Sequence, residues 1–154
     1  MAEFLSVEHL GVYKKIAPYY IVQIYYAQHQ YDKVYSRAEE LLKTYPDNAN
    51  NDELHRMLGE IYYQDSAYNE AVQHLSSYRS MRIANKQEPL RNDIYLLGMA
   101  NYKTGNYTDA IQHLKDVSPS PEFPGLLVHE AAKILSNRHH CVKICRIILQ
   151  ILYH

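Results

Sequence analysis

The chain has 154 residues, enough for one small domain with a core of its own. Sixteen Lys and Arg against seventeen Asp and Glu leave a net charge of -1, which removes the broad positive footprint that nucleic-acid or anionic-membrane binding usually needs. Two cysteines, Cys141 and Cys145, are too few for a disulfide framework and leave the compartment open, whereas sixteen tyrosines and no tryptophan are an unusual choice of aromatics.

In chain order, the first segment carries Glu3 and Glu8, with no basic-then-apolar leader layout. No stretch approaches about 18 uninterrupted apolar residues, so a soluble chain without membrane insertion is expected. Phe4, Val7 and Leu10 stand at helical spacing and predict, within residues 1–14, the second helix of an earlier repeat. On that reading the chain is a fragment of a longer array, and its uncovered apolar edge favours self-association.

Residues 15–124 predict three helix hairpins, about 15–50, 51–89 and 90–124. Apolar residues recur three and four apart, as in Leu54, Met57, Leu58 and Ile61 and again in Ala71, Val72, Leu75 and Tyr78; no segment sustains a period of two. Each hairpin breaks once, at His29-Gln30, Ser66-Ala67 and Gly105-Asn106, and resumes at Tyr31, Tyr68 and Tyr107, with Asp32, Asn69 and Thr108 as the expected N-caps. Pro46, Pro89, Pro119 and Pro121 mark the connections between hairpins, because proline lacks the helical amide and restricts its predecessor.

The three hairpins align. Val22, Gly59 and Gly98 are equivalent, as are Tyr26, Tyr63 and Tyr102, then Tyr31, Tyr68 and Tyr107, then Val34, Ala71 and Ala110, at offsets of 37 and 39 residues. A lone hairpin of this size cannot bury its apolar face, so stacking into an all-α, right-handed α-α superhelix is the expected fold.

These residues resemble the tetratricopeptide repeat. Leu97, Gly98, Ala110 and Leu114 match its pattern in the third unit, and Leu58, Gly59, Tyr62, Ala71 and Leu75 in the second. The first unit has Ile21-Val22 for Leu-Gly and Val34 for the small Ala, which predicts looser helix approach there, while Tyr25 and Pro46 fit. Asn101 replaces the first tyrosine of the pattern, and Pro18, His55 and Ile94 replace its tryptophan. The resemblance covers about Pro18 to Pro121. It is similar to a fragment of a larger bacterial multi-repeat protein of this family, and the doubled tyrosines resemble envelope-associated members, which would put the parent in the periplasm or envelope rather than the cytoplasm.

The resemblance implies a non-catalytic scaffold that binds a protein or peptide along the concave face of its first helices. By register that face carries Tyr19, Gln23 and Tyr26, then Arg56, Glu60 and Tyr63, then Tyr95, Met99 and Tyr102. Tyrosine suits an extended peptide or helix, since it offers area and a hydroxyl at low rotamer entropy; the competing reading is that Tyr26, Tyr63 and Tyr102 pack between neighbouring repeats. The Lys, Asn and Arg with which some members clamp a terminal carboxylate have no counterpart here. Only Arg56 and Lys103 could meet phosphates on this face, so RNA is disfavoured.

No phosphate loop, nucleophile elbow, paired catalytic carboxylates or HExxH occurs, so neither catalysis nor a cofactor is expected. His74, His113 and Arg37 are equivalent and read as a polar, solvated face. From Gly125 the tail (residues 125–154) loses the register, holds one tyrosine, and carries four basic residues against one acidic. It reads as a degenerate hairpin or cap, or as a non-native terminus. Its His139, His140, Cys141 and Cys145 offer an alternative function, a metal-binding module, though four ligands on one short segment rarely close a tetrahedron.

Overall fold

The computed structural model describes residues 16–117. Of the described residues, 16–114 belong to one compact unit. The expected helix within residues 1–14, the connection at Pro119 and Pro121, and the tail with its His139, His140, Cys141 and Cys145 lie outside the described residues.

The described residues are all-α: α1 (Ala17–Ala27), α2 (Tyr31–Thr44), α3 (Asn51–Gln64), α4 (Tyr68–Ala84), α5 (Arg91–Lys103) and α6 (Tyr107–Asp116), with no strand among them. Pro18 opens α1, where its missing amide leaves no helical bond unmade. Asp32, Asp52, Glu53, Glu70, Asp93 and Asp109 occupy first turns and Lys43, Arg82 and Lys103 last turns, each with the sign the helix dipole favours.

The three hairpin turns share one construction. Its pivot is a residue in the left-handed region, His29 (φ 55°), Ser66 (φ 62°) and Gly105 (φ 84°). The next amide, of Gln30, Ala67 or Asn106, then bonds back to the carbonyl of Tyr25, Tyr62 or Asn101 at 2.9, 2.9 and 2.8 Å. This Schellman closure ends the first helix and reverses the chain. It also places the cap of the second helix two residues earlier than the sequence led us to expect. The caps are Gln30 and Ala67, neither with a side-chain capping bond, and Asp32, Asn69 and Thr108 stand instead at the second helical position. The reason is that Gln30, Ala67 and Asn106 already accept the first helical amide bonds, from Val34, Ala71 and Ala110.

Within the second and third hairpins the helices meet at glycine. A methyl built on Gly59 would lie 2.6 Å from Leu75 Cγ, and one on Gly98 2.8 Å from Leu114 Cγ, so only a bare Cα admits those leucines. Beyond its own hairpin partner, each first helix also packs on its neighbours: α2 on α3, α4 on α5, α1 on α3, and α3 on α5. One apolar cluster thereby runs through Val22, Val34, Ala38, Leu41, Leu54, Met57, Leu58 and Ile61, and α4 and α5 bury Ala71, Leu75, Ile94 and Leu97. At about 25 cal/mol per Å² of apolar surface, burial of this core is the main stabilising term.

Two polar anchors fix how hairpins connect. Asn51 is 1% exposed, accepts the Tyr19 hydroxyl at 3.0 Å, and donates to the carbonyls of Tyr45 and Pro46 at 2.7 and 2.9 Å. Between α4 and α5, the Leu90 amide donates to the buried Tyr78 hydroxyl at 3.0 Å. Both satisfy connector groups that burial would otherwise strand without partners.

Candidate interaction face

The nine face residues predicted from register separate into three environments. Tyr19 and Met99 are each 3% exposed and belong to the core, Tyr19 through its bond to Asn51. Gln23 is exposed. Tyr26, Arg56, Glu60, Tyr63, Tyr95 and Tyr102 are half-buried.

Three of these are brought together. The Tyr26 hydroxyl of α1 donates to Glu60 of α3, and Arg56 of α3 donates from Nη1 to Glu60 Oε1 at 2.6 Å and from Nε to Glu53 Oε2 at 2.9 Å. The Arg56 guanidinium also lies 5.8 Å from the Tyr26 ring centroid. Burial raises the pKa of the Tyr26 phenol and its bond to Glu60 raises it further, so the phenol stays protonated. Burial opposes the charge on Arg56, and Glu53 and Glu60 outweigh it. The network crosses from the first hairpin to the second, and it leaves Arg56 committed to two carboxylates rather than open to a phosphate.

The equivalent tyrosines have a second role. Tyr26, Tyr63 and Tyr102 pack their rings at a tilt or edge-on against Tyr31, Tyr68 and Tyr107, with centroids 6.2, 5.5 and 5.7 Å apart and interplanar angles of 47°, 68° and 54°. Each pair bridges the last turn of one helix and the first residue of the next, across the left-handed pivot. His29 Nδ1 and Ser66 Oγ reach the same second tyrosine, at 2.8 Å from the Tyr31 hydroxyl and 3.3 Å from that of Tyr68. The paired tyrosines therefore brace the turns of their own hairpins.

Asp93 of α5, absent from the predicted face, is 1% exposed and faces Glu60. Neither of its oxygens has a partner in full hydrogen-bond geometry. Burial and the adjoining Glu60 carboxylate push its pKa up to about 7, against a smaller pull from Arg56 and the Tyr78 hydroxyl. A carboxylate cannot donate to a carboxylate, so this contact is favourable when Asp93 keeps its proton.

On the other side of α3, His55 Nδ1 lies 3.0 Å from His74 Nδ1 of α4. This corrects the expectation of a solvated face at His74, whose side chain is 14% exposed. The polar partner that makes burial tolerable comes from the opposite helix, where Pro18 and Ile94 are the register equivalents of His55. An imidazole at a position held by apolar residues in both sister repeats was the signal the sequence offered. Asp93, Asn51 and Tyr78 offered none of comparable strength.

Among the described residues no three His, Cys, Asp or Glu side chains are grouped to hold a metal, and no helix is long and apolar enough to cross a membrane. No family model, curated protein or solved structure matches the chain.

Proposed function

We propose that this chain is a non-catalytic protein-interaction module of tetratricopeptide-like design, with its hairpins stacked as a superhelix that receives an extended peptide or a helix along the first helices. The observation that carries this reading is the recurrence of half-buried tyrosine at one register position on the first helix of three successive hairpins, Tyr26, Tyr63 and Tyr102 on α1, α3 and α5, where α1 packs on α3 and α3 on α5. Gln23 and Tyr95 widen that row, and the Tyr26, Arg56 and Glu60 network holds its middle rigid. Rigid aromatic rings already fixed by neighbours lose little entropy on binding.

The turn-bracing role of these rings dictates the control. Peptides selected from a display library on the full chain are to be measured against two triple variants, Tyr26→Ala/Tyr63→Ala/Tyr102→Ala and Tyr31→Ala/Tyr68→Ala/Tyr107→Ala. Both remove the same ring pairs, but only the first strips the face. At least tenfold weaker binding confined to the first variant supports the reading. Equal losses in both, or none in either, sink it.

A further inference from the structure

The His55–His74 contact has a geometry that admits one proton and no more. The two Nδ1 atoms are 3.0 Å apart and the ring centroids 5.1 Å apart, close to the separation of two imidazoles aimed nitrogen to nitrogen. One Nδ1 must donate and the other accept. Glu39 of α2 biases the choice electrostatically: its Oε1 lies 3.6 Å from His74 Nε2, beyond hydrogen-bond length, and favours a proton on that nitrogen, which makes His74 Nδ1 the acceptor in the arrangement proposed below. Tyr62 stacks on His74 with centroids 5.3 Å apart and interplanar angle 22°, and fixes the ring plane.

We propose that His55 and His74 are a one-proton clasp between α3 and α4: with His55 donating from Nδ1 to His74 Nδ1 the second hairpin is held closed, and a second proton, which places two N–H groups head to head, opens it.

The charged groups around the pair do not rescue the doubly protonated state. Glu39 from α2 and Asp52 from α3 favour charge on His55, but burial and the facing His74 outweigh them and lower its pKa to about 4. Burial lowers that of His74 as well. Asp52 is itself engaged with Arg82 of α4 at 3.5 Å. Helix α1 carries no charged residue, and Asp93 of α5 faces Glu60 and Arg56 rather than the imidazoles. Groups whose folded pKa is depressed bind more protons when unfolded, so the stability they confer is present above about 6.5 and is lost as the pH falls toward 4.

The test uses the full chain labelled with ¹⁵N-histidine, with His55→Gln and His74→Gln to assign the rings. Two-bond proton–nitrogen correlation at pH 7 should find His55 in the Nδ1–H tautomer and His74 in the Nε2–H tautomer. Exchange protection of the α3 and α4 amides should fall roughly tenfold or more between pH 6.5 and 4.5 in the wild-type chain and by much less in either variant. Ordinary titration of both rings near pH 6.5, two Nε2–H tautomers, or wild-type protection flat across that interval would overturn the clasp. The tautomer and titration are read on the wild-type chain, so a variant that fails to fold leaves the proposal decidable.

Discussion

At the scale of single residues, the turns carry a conformational debt that varies from hairpin to hairpin. Gly105 adopts φ 84° with nothing within 4 Å of the place a Cβ would take, so Gly105→Ala changes backbone preference and little else. A loss of about 1 kcal/mol is expected in urea unfolding. Ser66 holds a similar φ, 62°, with a Cβ and only a long 3.3 Å contact from the Tyr68 hydroxyl. Ser66→Gly should therefore gain about 0.5 kcal/mol, the relief of strain being partly offset by the greater freedom of the unfolded chain. Tyrosine fluorescence is a suitable probe, since fifteen of the sixteen tyrosines precede Gly125. A stabilised Gly105→Ala chain would refute this account of the turns. The turn positions were legible in the sequence from Gly105-Asn106 and the tyrosine that follows every break. The left-handed state of His29 and Ser66 was not, because neither residue advertises it as glycine does.

At the scale of elements, the approach of paired helices and the charge between them decide stability. Gly59→Ala puts a methyl 2.6 Å from Leu75 Cγ, a branch point rather than a flexible tip, so α3 and α4 must part. A loss of about 1–3 kcal/mol is expected, and combined with Leu75→Ala, which removes Cγ, the double variant should lose less than the sum of the two single losses; strict additivity would show that the leucine is not the obstacle. Between α3 and α5, Asp93 has a raised pKa, about 7 against an ordinary 3.8. The folded state thus holds a proton that the unfolded chain releases. The stabilisation is full below about 3.8 and is lost as the pH rises through 7. Asp93→Asn keeps a donor toward Glu60 at every pH, and should raise stability at pH 8 by about 1–3 kcal/mol while changing little at pH 4. An equal effect at both pH values would refute the shared proton. Gly59 could be read from the sequence as a point of close approach because the repeat pattern placed it opposite a second helix. Asp93 could not, since an acidic residue in a first turn ordinarily reads as dipole complement and solvent-facing cap.

At the scale of the molecule, Asp93 and the histidine pair tilt the stability profile in opposite senses across the same interval. Between about pH 4 and 6.5 Asp93 makes the described hairpins more stable toward acid, and His55 with His74 makes them less so. The wild-type profile is therefore expected to fall toward acid, less steeply than the histidine pair alone would make it, with Asp93→Asn falling more steeply and His55→Gln/His74→Gln rising. Denaturant midpoints measured at half-unit steps decide this, and parallel profiles for all three chains would contradict it. Helical periodicity, the three breaks and the alignment at offsets of 37 and 39 were enough to specify an all-α chain of hairpins, because they follow from local backbone preference and from the spacing of apolar residues along one helix. The sorting of the predicted face was decided only by tertiary packing: Tyr19 and Met99 drawn into the core, Gln23 left in solvent, Tyr26 bonded to Glu60, and His74 turned from a solvated surface toward His55. Register assigns a residue to one side of its own helix, whereas burial and protonation depend on what the neighbouring helices bring to that side, from positions tens of residues away along the chain.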